Sequence, residues 1–324
     1  MCHFYIFSRI MHLHYSLFLG FLLLLYLVVF LGKENVPSKA NIHMLKYKTF
    51  MTLFFFPFLL ASFLYSCDNF EYHPLDGKID IKNGPRNPIA ISTIQKKHSK
   101  DSLKFVFIGD THRDDGDTED FVKHINKRKD IDFVIHVGDF TDFGLKKEYE
   151  LSEKILSRLI YPYIVLIGNH DIRSRGDITY KSVYGEEDFS FVVSNVMFIF
   201  LNTNMLEYEK PVNIPNISFL KEQLEYINDL SSINKEKINK TIVIIHSPPK
   251  GEQFYDKKLS EEFHETIKKF PNLLCCLHGH THRYSDVDLF EDGIRYYGCD
   301  NIAKRSYLVF TITKKGYTHE YVIF

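Results

Sequence analysis

Residues 103–110 read LKFVFIGD, and this short apolar run ending in Gly-Asp decides the fold class. Five further runs rich in Val, Ile and Phe follow, and they read DFVIHVGD (132–139), YIVLIGNHD (163–171), FSFVVSNVMFIFLNT (189–203), TIVIIHSPP (241–249) and LLCCLHGHTH (273–282). Between the runs, residues 146–160 and 217–230 place apolar residues at spacings of three and four, which is typical of helices that cover a sheet. The alternation predicts an α/β domain, with strands and turns continuing after Ser285.

Five of the six apolar runs end in a polar cluster, and these read Gly-Asp-Thr-His, Gly-Asp, Gly-Asn-His-Asp, His-Ser-Pro-Pro and Gly-His-Thr-His. In open α/β sheets, ligands bind at the carboxyl ends of neighbouring strands, so we expect the clusters to converge. Asp110 and His112 are separated by one residue, as are His280 and His282. In extended backbone, each pair would point to one side and could hold one ion.

The order of the clusters resembles the motif order of the calcineurin-like metallophosphoesterase superfamily, which runs D-x-H, G-D-x-x-D, G-N-H-[DE], H and G-H-x-H. In this chain the five motifs are Asp110/His112, Gly138/Asp139/Asp142, Gly168 to Asp171, His246, and Gly279/His280/His282. The resemblance covers the chain from about residue 103 to its last residue. It implies an αββα sandwich of two mixed sheets, with a metal site at the carboxyl ends of the strands.

Carried over by position, the resemblance assigns the ligands of two divalent metal ions. One ion is expected to bind Asp110, His112, Asp139 and His282, and the other Asp139, Asn169, His246 and His280. Imidazole, carboxylate and amide donors without thiolate suit Mn, Fe or Zn, and argue against a structural zinc site or a dedicated calcium site. Two such ions, about 3.5 to 4 Å apart, can share a bridging hydroxide that hydrolyses a phosphate ester.

The resemblance also assigns the catalytic residues. His170 is expected to act on the leaving-group oxygen, as general acid or charge stabiliser. Asp142 is expected to hold the other ring nitrogen of His170 and to fix its tautomer. Four other histidines have a structural interpretation: His136 and His278 as packed strand residues, and His124 and His264 as surface residues of helices.

The sequence says less about the substrate. Phe143 stands where the Ser/Thr protein phosphatases of the superfamily carry Arg, and Asp171 where they carry Glu, so that branch is not expected. Arg173, Arg175 and Lys250 either bind a substrate phosphate or lie in solvated loops. Phosphomonoesters, phosphodiesters and pyrophosphate bonds stay open, in a small molecule, lipid or nucleotide. The alternative function is a catalytically silent relative that uses the fold as an interaction module.

Charge and cysteine content exclude two other classes. The chain has 40 Lys and Arg against 41 Asp and Glu, a formal net charge of −1, so no specific nucleic-acid binding is indicated. Its five cysteines have no CxxC spacing and no even framework, so neither a zinc knuckle nor a disulfide scaffold is expected.

Two apolar runs, at about 13–32 and 50–66, precede the domain. The second follows two lysines and ends in SFLYSCDN, which is the three-part layout of a secretory signal. Read from a start at Met44, it resembles a bacterial lipoprotein signal with Cys67 as the lipidated residue. The alternative is a two-helix membrane anchor with a lysine-rich cytoplasmic connection. Both interpretations predict a cell-envelope protein, anchored by its N-terminus, with the catalytic domain outside the cytoplasm.

The predicted organisation has three parts. Residues 1–66 form the signal or membrane region, and residues 103–324 form the catalytic domain. Residues 67–102 mix Pro, Gly and charged residues, which indicates a tether, with one short possible helix near residues 89–95.

Overall fold

The computed structural model describes residues 78–79, 81, 84–97, 102–208, 213–233, 238–254 and 256–324, and of residues 228–233 the backbone alone. The α-helices in this part of the chain are α1 (Arg86–Lys97), α2 (Asp115–Ile125), α3 (Lys146–Leu156), α4 (Asn169–Ile172), α5 (Gly176–Val183), α6 (Ile217–Ile233) and α7 (Lys257–Ile267). Short 3-10 turns lie at Arg173–Arg175, Met205–Glu207, Glu252–Phe254 and Ile302–Lys304.

The strands are β1 (Leu103–Ile108), β2 (Phe133–His136), β3 (Tyr163–Val165), β4 (Phe189–Val193), β5 (Val196–Leu201), β6 (Lys240–Ile245), β7 (Leu273–His278), β8 (Ser285–Asp288), β9 (Arg295–Gly298), β10 (Ser306–Thr313) and β11 (Gly316–Ile323). They form two sheets, with the orders β11-β10-β1-β2-β3 and β4-β5-β6-β7-β9-β8. Both sheets are mixed: β1, β2 and β3 are parallel, as are β5, β6, β7 and β9, and the remaining pairs are antiparallel.

Each central strand is buried on both faces, which explains why its sequence is a continuous apolar run. In β1, Phe105 and Phe107 belong to the core between the two sheets, whereas Val106 and Ile108 belong to the core under the helices. Because successive side chains of a strand point to opposite faces, one run of six residues contributes to two layers of packing.

Helices cover the outer face of each sheet. The core of the first sheet includes Phe121 of α2, Tyr149 of α3 and Tyr180 of α5. The core of the second sheet includes Leu220 of α6 and Phe263 of α7. The arrangement is therefore an αββα sandwich of two mixed sheets, which confirms the predicted fold class.

Helix α1 lies within the predicted tether, yet it packs on the catalytic domain. Ala90 and Ile94 are buried in the core between the sheets. The side-chain amide of Asn87 donates to the carbonyl oxygen of Val165 (2.8 Å) and accepts from its N–H (3.0 Å), as a neighbouring strand would. At the other end of the helix, Gln95 donates to the carbonyl oxygen of Val192 in β4 (3.0 Å). Helix α1 thus contacts an edge strand of each sheet, β3 in the first and β4 in the second.

Two helical histidines predicted at the surface differ from each other. His124 is half-buried, and its Nε2 lies 3.0 Å from the hydroxyl of Tyr307. His264 is buried, so the prediction for this residue was wrong. Its ring stacks on Phe290 at 3.7 Å, and its Nε2 lies 2.8 Å from Asp292. The turn after β8 folds over α7 and covers the ring.

The predicted signal or membrane region and Cys67 lie outside the described residues. Among the residues that the structure does describe, no helix combines the length and the apolar character needed to cross a membrane.

Candidate metal centre

The predicted ligands lie where strands end and the backbone turns. Five of them adopt left-handed backbone conformations, with φ between 39° and 65°, and these are Asp110, His112, Asp139, His280 and His282. The expectation that Asp-x-His and His-x-His act from extended backbone was therefore wrong. Positive φ costs a non-glycine residue about 1 to 3 kcal/mol and clusters at functional sites. The turns, and not a two-residue repeat, direct these side chains inward.

The first half-site consists of Asp110, His112, Asp139 and His282. The Nε2 atoms of His112 and His282 lie 3.2 Å apart. Nε2 of His282 lies 3.4 Å from Asp110, and Nε2 of His112 lies 3.7 Å from Asp139. One candidate ligand atom from each of the four residues lies within 4.8 Å of the others, so the group could hold one metal ion.

The second half-site consists of Asp139, Asn169, His246 and His280. Nε2 of His246 lies 3.1 Å from Oδ1 of Asn169 and 3.2 Å from Oδ2 of Asp139. Nδ1 of His280 lies 2.9 Å from the same Asn169 oxygen. The titratable members converge within 4.8 Å. Asp139 belongs to both half-sites, which is the position that the resemblance assigns to a bridging ligand.

The donors of both half-sites fit a divalent metal. Imidazole nitrogen and carboxylate oxygen converge at each half-site, with an amide oxygen in the second, and imidazole with carboxylate suits Mn, Fe or Zn. His246 shows how the surroundings prepare a ligand: its Nδ1 lies 2.8 Å from the carbonyl oxygen of Val137. A carbonyl can only accept, so Nδ1 carries the proton and Nε2 is left for a metal.

The surroundings shift the pKa values of the two imidazoles in the second half-site in opposite directions. Burial acts to lower the pKa of His246, but the carboxylates of Asp139 and Asp110 outweigh it and raise that pKa to about 9. Burial, together with the nearby His246, lowers the pKa of His280 to about 4. In the absence of a cation, these shifts favour the charged form of His246 and the neutral form of His280.

Asp171 fixes the two loops that carry Asp139 and Asn169. Its buried carboxylate accepts from five groups, which are the backbone N–H of Gly168, Asp139, Phe140 and Thr141 and the hydroxyl of Thr141. The distances are 2.8 to 3.1 Å. One carboxylate thus ties the G-D-x-x-D turn to the G-N-H-D turn.

His170 lies beside the first half-site. Its ring packs at 4.7 Å against that of His112, and its backbone N–H donates to Asp139 (2.8 Å). Its Nδ1 lies 2.9 Å from the backbone carbonyl oxygen of Asp142. The resemblance assigned Asp142 to this nitrogen, and the group of Asp142 in contact is the main-chain carbonyl and not the carboxylate. The Asp142 carboxylate instead faces Arg113 (3.2 Å) and His112 (3.7 Å).

Two further histidines lie near the centre, outside both half-sites. Nδ1 of His278 lies 2.9 Å from the carbonyl oxygen of Gly279, and Nε2 of His136 lies 3.0 Å from the hydroxyl of Thr111. Both rings are buried, and burial lowers the pKa of each to about 4. The lowered pKa favours the neutral form of each ring, and both rings pack inside the domain, as the sequence predicted.

The polar residues after β5 were missed. Asn202, Thr203 and Asn204 are buried at the end of the one apolar run that we did not connect with the site. Asn204 donates to the carbonyl oxygen of Ile167 (3.0 Å), and the hydroxyl of Thr203 accepts from the N–H of Ser247 (2.9 Å). The sequence did indicate these residues, because Asn-Thr-Asn (202–204) stands at the end of the apolar run, as the polar clusters do in the other runs.

A second missed group supports His282 from behind. Lys304 donates to the carbonyl oxygen of His282 (2.7 Å) and to the carboxylate of Asp300 (2.8 Å). The same carboxylate accepts from the N–H of Tyr284 (2.9 Å). Asp300 and Lys304 lie about twenty residues after the last motif, and no sequence pattern linked them to it.

The family is identified by sequence. The family model described as calcineurin-like phosphoesterase matches residues 103–284, which is more than half of the chain. The chain therefore belongs to the calcineurin-like phosphoesterase family, as the order of its motifs indicated.

Several curated proteins are similar to parts of the chain. Purple acid phosphatase 7 of Arabidopsis thaliana is 36% identical over 129 residues, which is 34% of this chain and 39% of that protein. Glycerophosphodiester phosphodiesterase GpdQ of Enterobacter lignolyticus is 25% identical over 182 residues, 50% of this chain and 60% of that protein. A probable cyclic nucleotide phosphodiesterase of Ruthia magnifica is 24% identical over 217 residues, 62% of this chain and 87% of that protein. The chain spans less than two thirds of the first two.

Solved structures are similar at low identity. A dimetal phosphatase from Danio rerio has a TM-score of 0.49 and 11% identity, with 68% of this chain and 98% of that one covered. A purple acid phosphatase from yellow lupin (Lupinus luteus) has a TM-score of 0.48 and 14% identity, with 68% and 51% covered.

Proposed function

We propose that this protein is a dinuclear metal-dependent phosphoesterase that hydrolyses phosphate esters. The observation that carries the proposal is the convergence of seven side chains from both sheets into two half-sites that share Asp139, with His170 alongside. Buried polar groups carry a desolvation cost, so an apolar core would stabilise the fold better than these carboxylates, imidazoles and amide do. Their convergence therefore indicates a binding role.

The residues have separate tasks in this proposal. The first half-site and the second half-site each hold one divalent ion, most suitably Mn, Fe or Zn. Bound there, the ions supply Lewis acidity toward the phosphate oxygens and lower the pKa of water. His170 acts on the leaving-group oxygen through Nε2, since Nδ1 is engaged by the carbonyl of Asp142. Nδ1 of His170 also lies 3.0 Å from Nη1 of Arg173, so the main chain of Asp142 and the guanidinium of Arg173 together orient the ring.

We propose phosphodiesters as the leading substrate class, in a small molecule, lipid or nucleotide. Two of the similar proteins named above are phosphodiesterases by name, and one is a phosphatase. Phosphomonoesters are therefore the second class to test.

We also propose that the protein is anchored in the cell envelope of a bacterium through its N-terminal region. The support is the sequence alone: apolar runs at about 13–32 and 50–66, followed by Cys67. Metabolic labelling with a fatty acid tests lipidation. Label lost in Cys67→Ser indicates a lipoprotein, and membrane association without label indicates the two-helix anchor.

The test of activity uses the whole 324-residue chain, purified in detergent because of its apolar N-terminal runs. Bound metal is measured by elemental analysis, and turnover is measured on bis-(p-nitrophenyl) phosphate and on p-nitrophenyl phosphate, with Asp139→Asn as control. We expect two metal ions per chain, turnover of the diester, and loss of both in the control. Metal-replete protein without turnover on either ester would favour the interaction module.

A further inference from the structure

Glu207 lies where two parts of the proposed site meet, although no motif includes it. It ends the 3-10 turn Met205–Glu207, and its side chain is 20% exposed. Its Oε1 accepts from the side-chain amide nitrogen of Asn169 at 3.4 Å. Its Oε2 lies 3.6 Å from Nε of Arg173. One carboxylate therefore contacts a candidate metal ligand and a candidate substrate-binding residue.

The contact with Asn169 determines which end of the amide faces the metal centre. A carboxylate accepts hydrogen bonds and cannot donate one, so the end of the amide that faces Glu207 must be the NH2 group. The oxygen then faces the second half-site, 3.1 Å from His246 and 2.9 Å from His280. Without Glu207 the amide could turn over, and its NH2 group would face the metal, which it cannot ligate.

The contact with Arg173 places a guanidinium beside the proposed leaving-group residue. Nη1 of Arg173 lies 3.0 Å from Nδ1 of His170 and 3.5 Å from the carbonyl oxygen of Asp142. The Arg173 side chain is 37% exposed, so it can reach a ligand that enters from solvent. A planar guanidinium with free donors is well suited to bind phosphate oxygens.

The turn that carries Glu207 is fastened on both sides. Before it, Asn204 donates to the carbonyl oxygen of Ile167, immediately ahead of the G-N-H-D turn (3.0 Å). Within it, the N–H of Leu206 donates to the buried side chain of Gln253 (3.0 Å). The position of Glu207 is therefore set by the scaffold and not by its two partners alone.

We propose that Glu207 is a positioning residue with two separable effects. Through Oε1 it turns the oxygen of Asn169 toward the second half-site, and through Oε2 it holds Arg173 where the guanidinium binds an anionic oxygen of the phosphate ester. The second effect rests on the proposed phosphoesterase function, whereas the first concerns metal binding alone.

Three variants of the whole chain separate the two effects. Glu207→Gln keeps an acceptor for the Asn169 amide but loses the charge that holds Arg173. Glu207→Ala loses both, and Arg173→Met removes the guanidinium while Glu207 stays. Glu186→Ala, which removes the carboxylate of an exposed glutamate that belongs to neither half-site, is the matched control. The readouts are the dissociation constants for Mn²⁺, by calorimetric titration, and for inorganic phosphate on the Mn²⁺-loaded protein.

We expect Glu207→Ala to weaken the affected Mn²⁺ site about 10- to 100-fold, the range found when a partner of a metal ligand is removed. Glu207→Gln should bind Mn²⁺ like the wild type. All three variants should weaken phosphate binding, with about a tenfold loss in Arg173→Met, as expected for one charge-assisted hydrogen bond. In turnover assays, Arg173→Met and Glu207→Gln should raise KM more than they lower kcat.

Unchanged Mn²⁺ affinity in Glu207→Ala would overturn the proposed effect on Asn169. An equal loss of Mn²⁺ affinity in Glu207→Gln would also overturn it, because the charge of Glu207 and not the orientation of the amide would then set the affinity. Wild-type phosphate affinity in Arg173→Met would overturn the effect on the substrate. Neither binding measurement needs turnover. If the wild type hydrolyses no ester but Glu207→Ala loses Mn²⁺ as expected, the positioning effect stands and the proposed function fails.

Discussion

The two half-sites of the candidate metal centre use the same donor chemistry in different surroundings. His246 of the second half-site is fully buried, whereas the side chain of His282 in the first is 43% exposed. Behind His246 lies a buried backbone carbonyl, and behind His282 lies the half-exposed Lys304. Ligands that cannot move bind an ion more tightly than ligands that solvent can reach. The difference predicts a tightly held ion in the second half-site and an exchangeable one in the first.

The largest expected effect comes from deleting one imidazole in each half-site. His246→Ala should weaken metal binding by more than about 100-fold, beyond the range for residues that only support a ligand. It should also lower the free energy of unfolding by about 2 kcal/mol, because the buried carbonyl of Val137 loses its donor. His282→Ala should release one ion and leave the other in place. Metal content after dialysis and the thermal unfolding midpoint measure both variants.

Equal metal loss in His246→Ala and His282→Ala would contradict the comparison. Lys123→Met, on the exposed face of α2, is the control for both, and it should retain wild-type metal content and stability.

The next effect is on stability rather than on metal binding, and it comes from two glycine substitutions that crowd the half-sites but leave every donor group in place. A methyl group on Gly168 would clash with the backbone nitrogen of Asp139, in the turn that follows β2. On Gly279 it would lie 2.7 Å from a carboxylate oxygen of Asp110. We expect Gly168→Ala to lower the free energy of unfolding by about 3 kcal/mol and Gly279→Ala by about 1 kcal/mol, the two ends of the range for overpacking. Urea unfolding measures the loss of stability in each variant. A larger loss in Gly279→Ala than in Gly168→Ala would show that the first half-site is the more rigid.

The smallest effect is expected from Lys304→Met. This change removes the hydrogen bond to the carbonyl of His282, so the first half-site should bind its ion a few-fold more weakly, consistent with about 1 kcal/mol for one hydrogen bond. The second half-site should be unchanged. Competition with a weak chelator measures the affinity of each half-site separately. A change in the affinity of the second half-site would contradict the assignment of Lys304 to the first.

The fold could be predicted from the sequence because burial on both faces gives each central strand a continuous apolar run. The last four residues of β1 and of β6 alternate between two cores, so the apolar pattern of each strand could be read directly from the sequence. The position of α1 was less accessible: its packing depends on Asn87 meeting the edge of β3, and a polar residue in a charged segment gives no sign of that contact.

The site was predicted from motif order, and the structure brings the seven predicted ligands together. The geometry that does so was not predictable, because left-handed φ angles at Asp110 and His112 arise from the surrounding turns and not from residue type. The contact between Asp142 and His170 was expected through a carboxylate and occurs through a carbonyl, while the carboxylate faces Arg113. Glu207 and Asp300 act from loops, where the separation in sequence hides proximity in space.

The amide of Asn87 has a practical consequence for anyone who shortens this protein. The family match begins at residue 103, which makes that residue an obvious place to start a soluble fragment. Such a fragment would keep every candidate metal ligand, but the N–H of Val165 would lose its acceptor and the carbonyl of Val165 would keep only the hydroxyl of Tyr180 (2.7 Å). An open strand edge is a template for pairing with another chain. Fragments that begin at residue 103 should therefore aggregate edge to edge, whereas fragments that begin before Arg86 should stay dispersed.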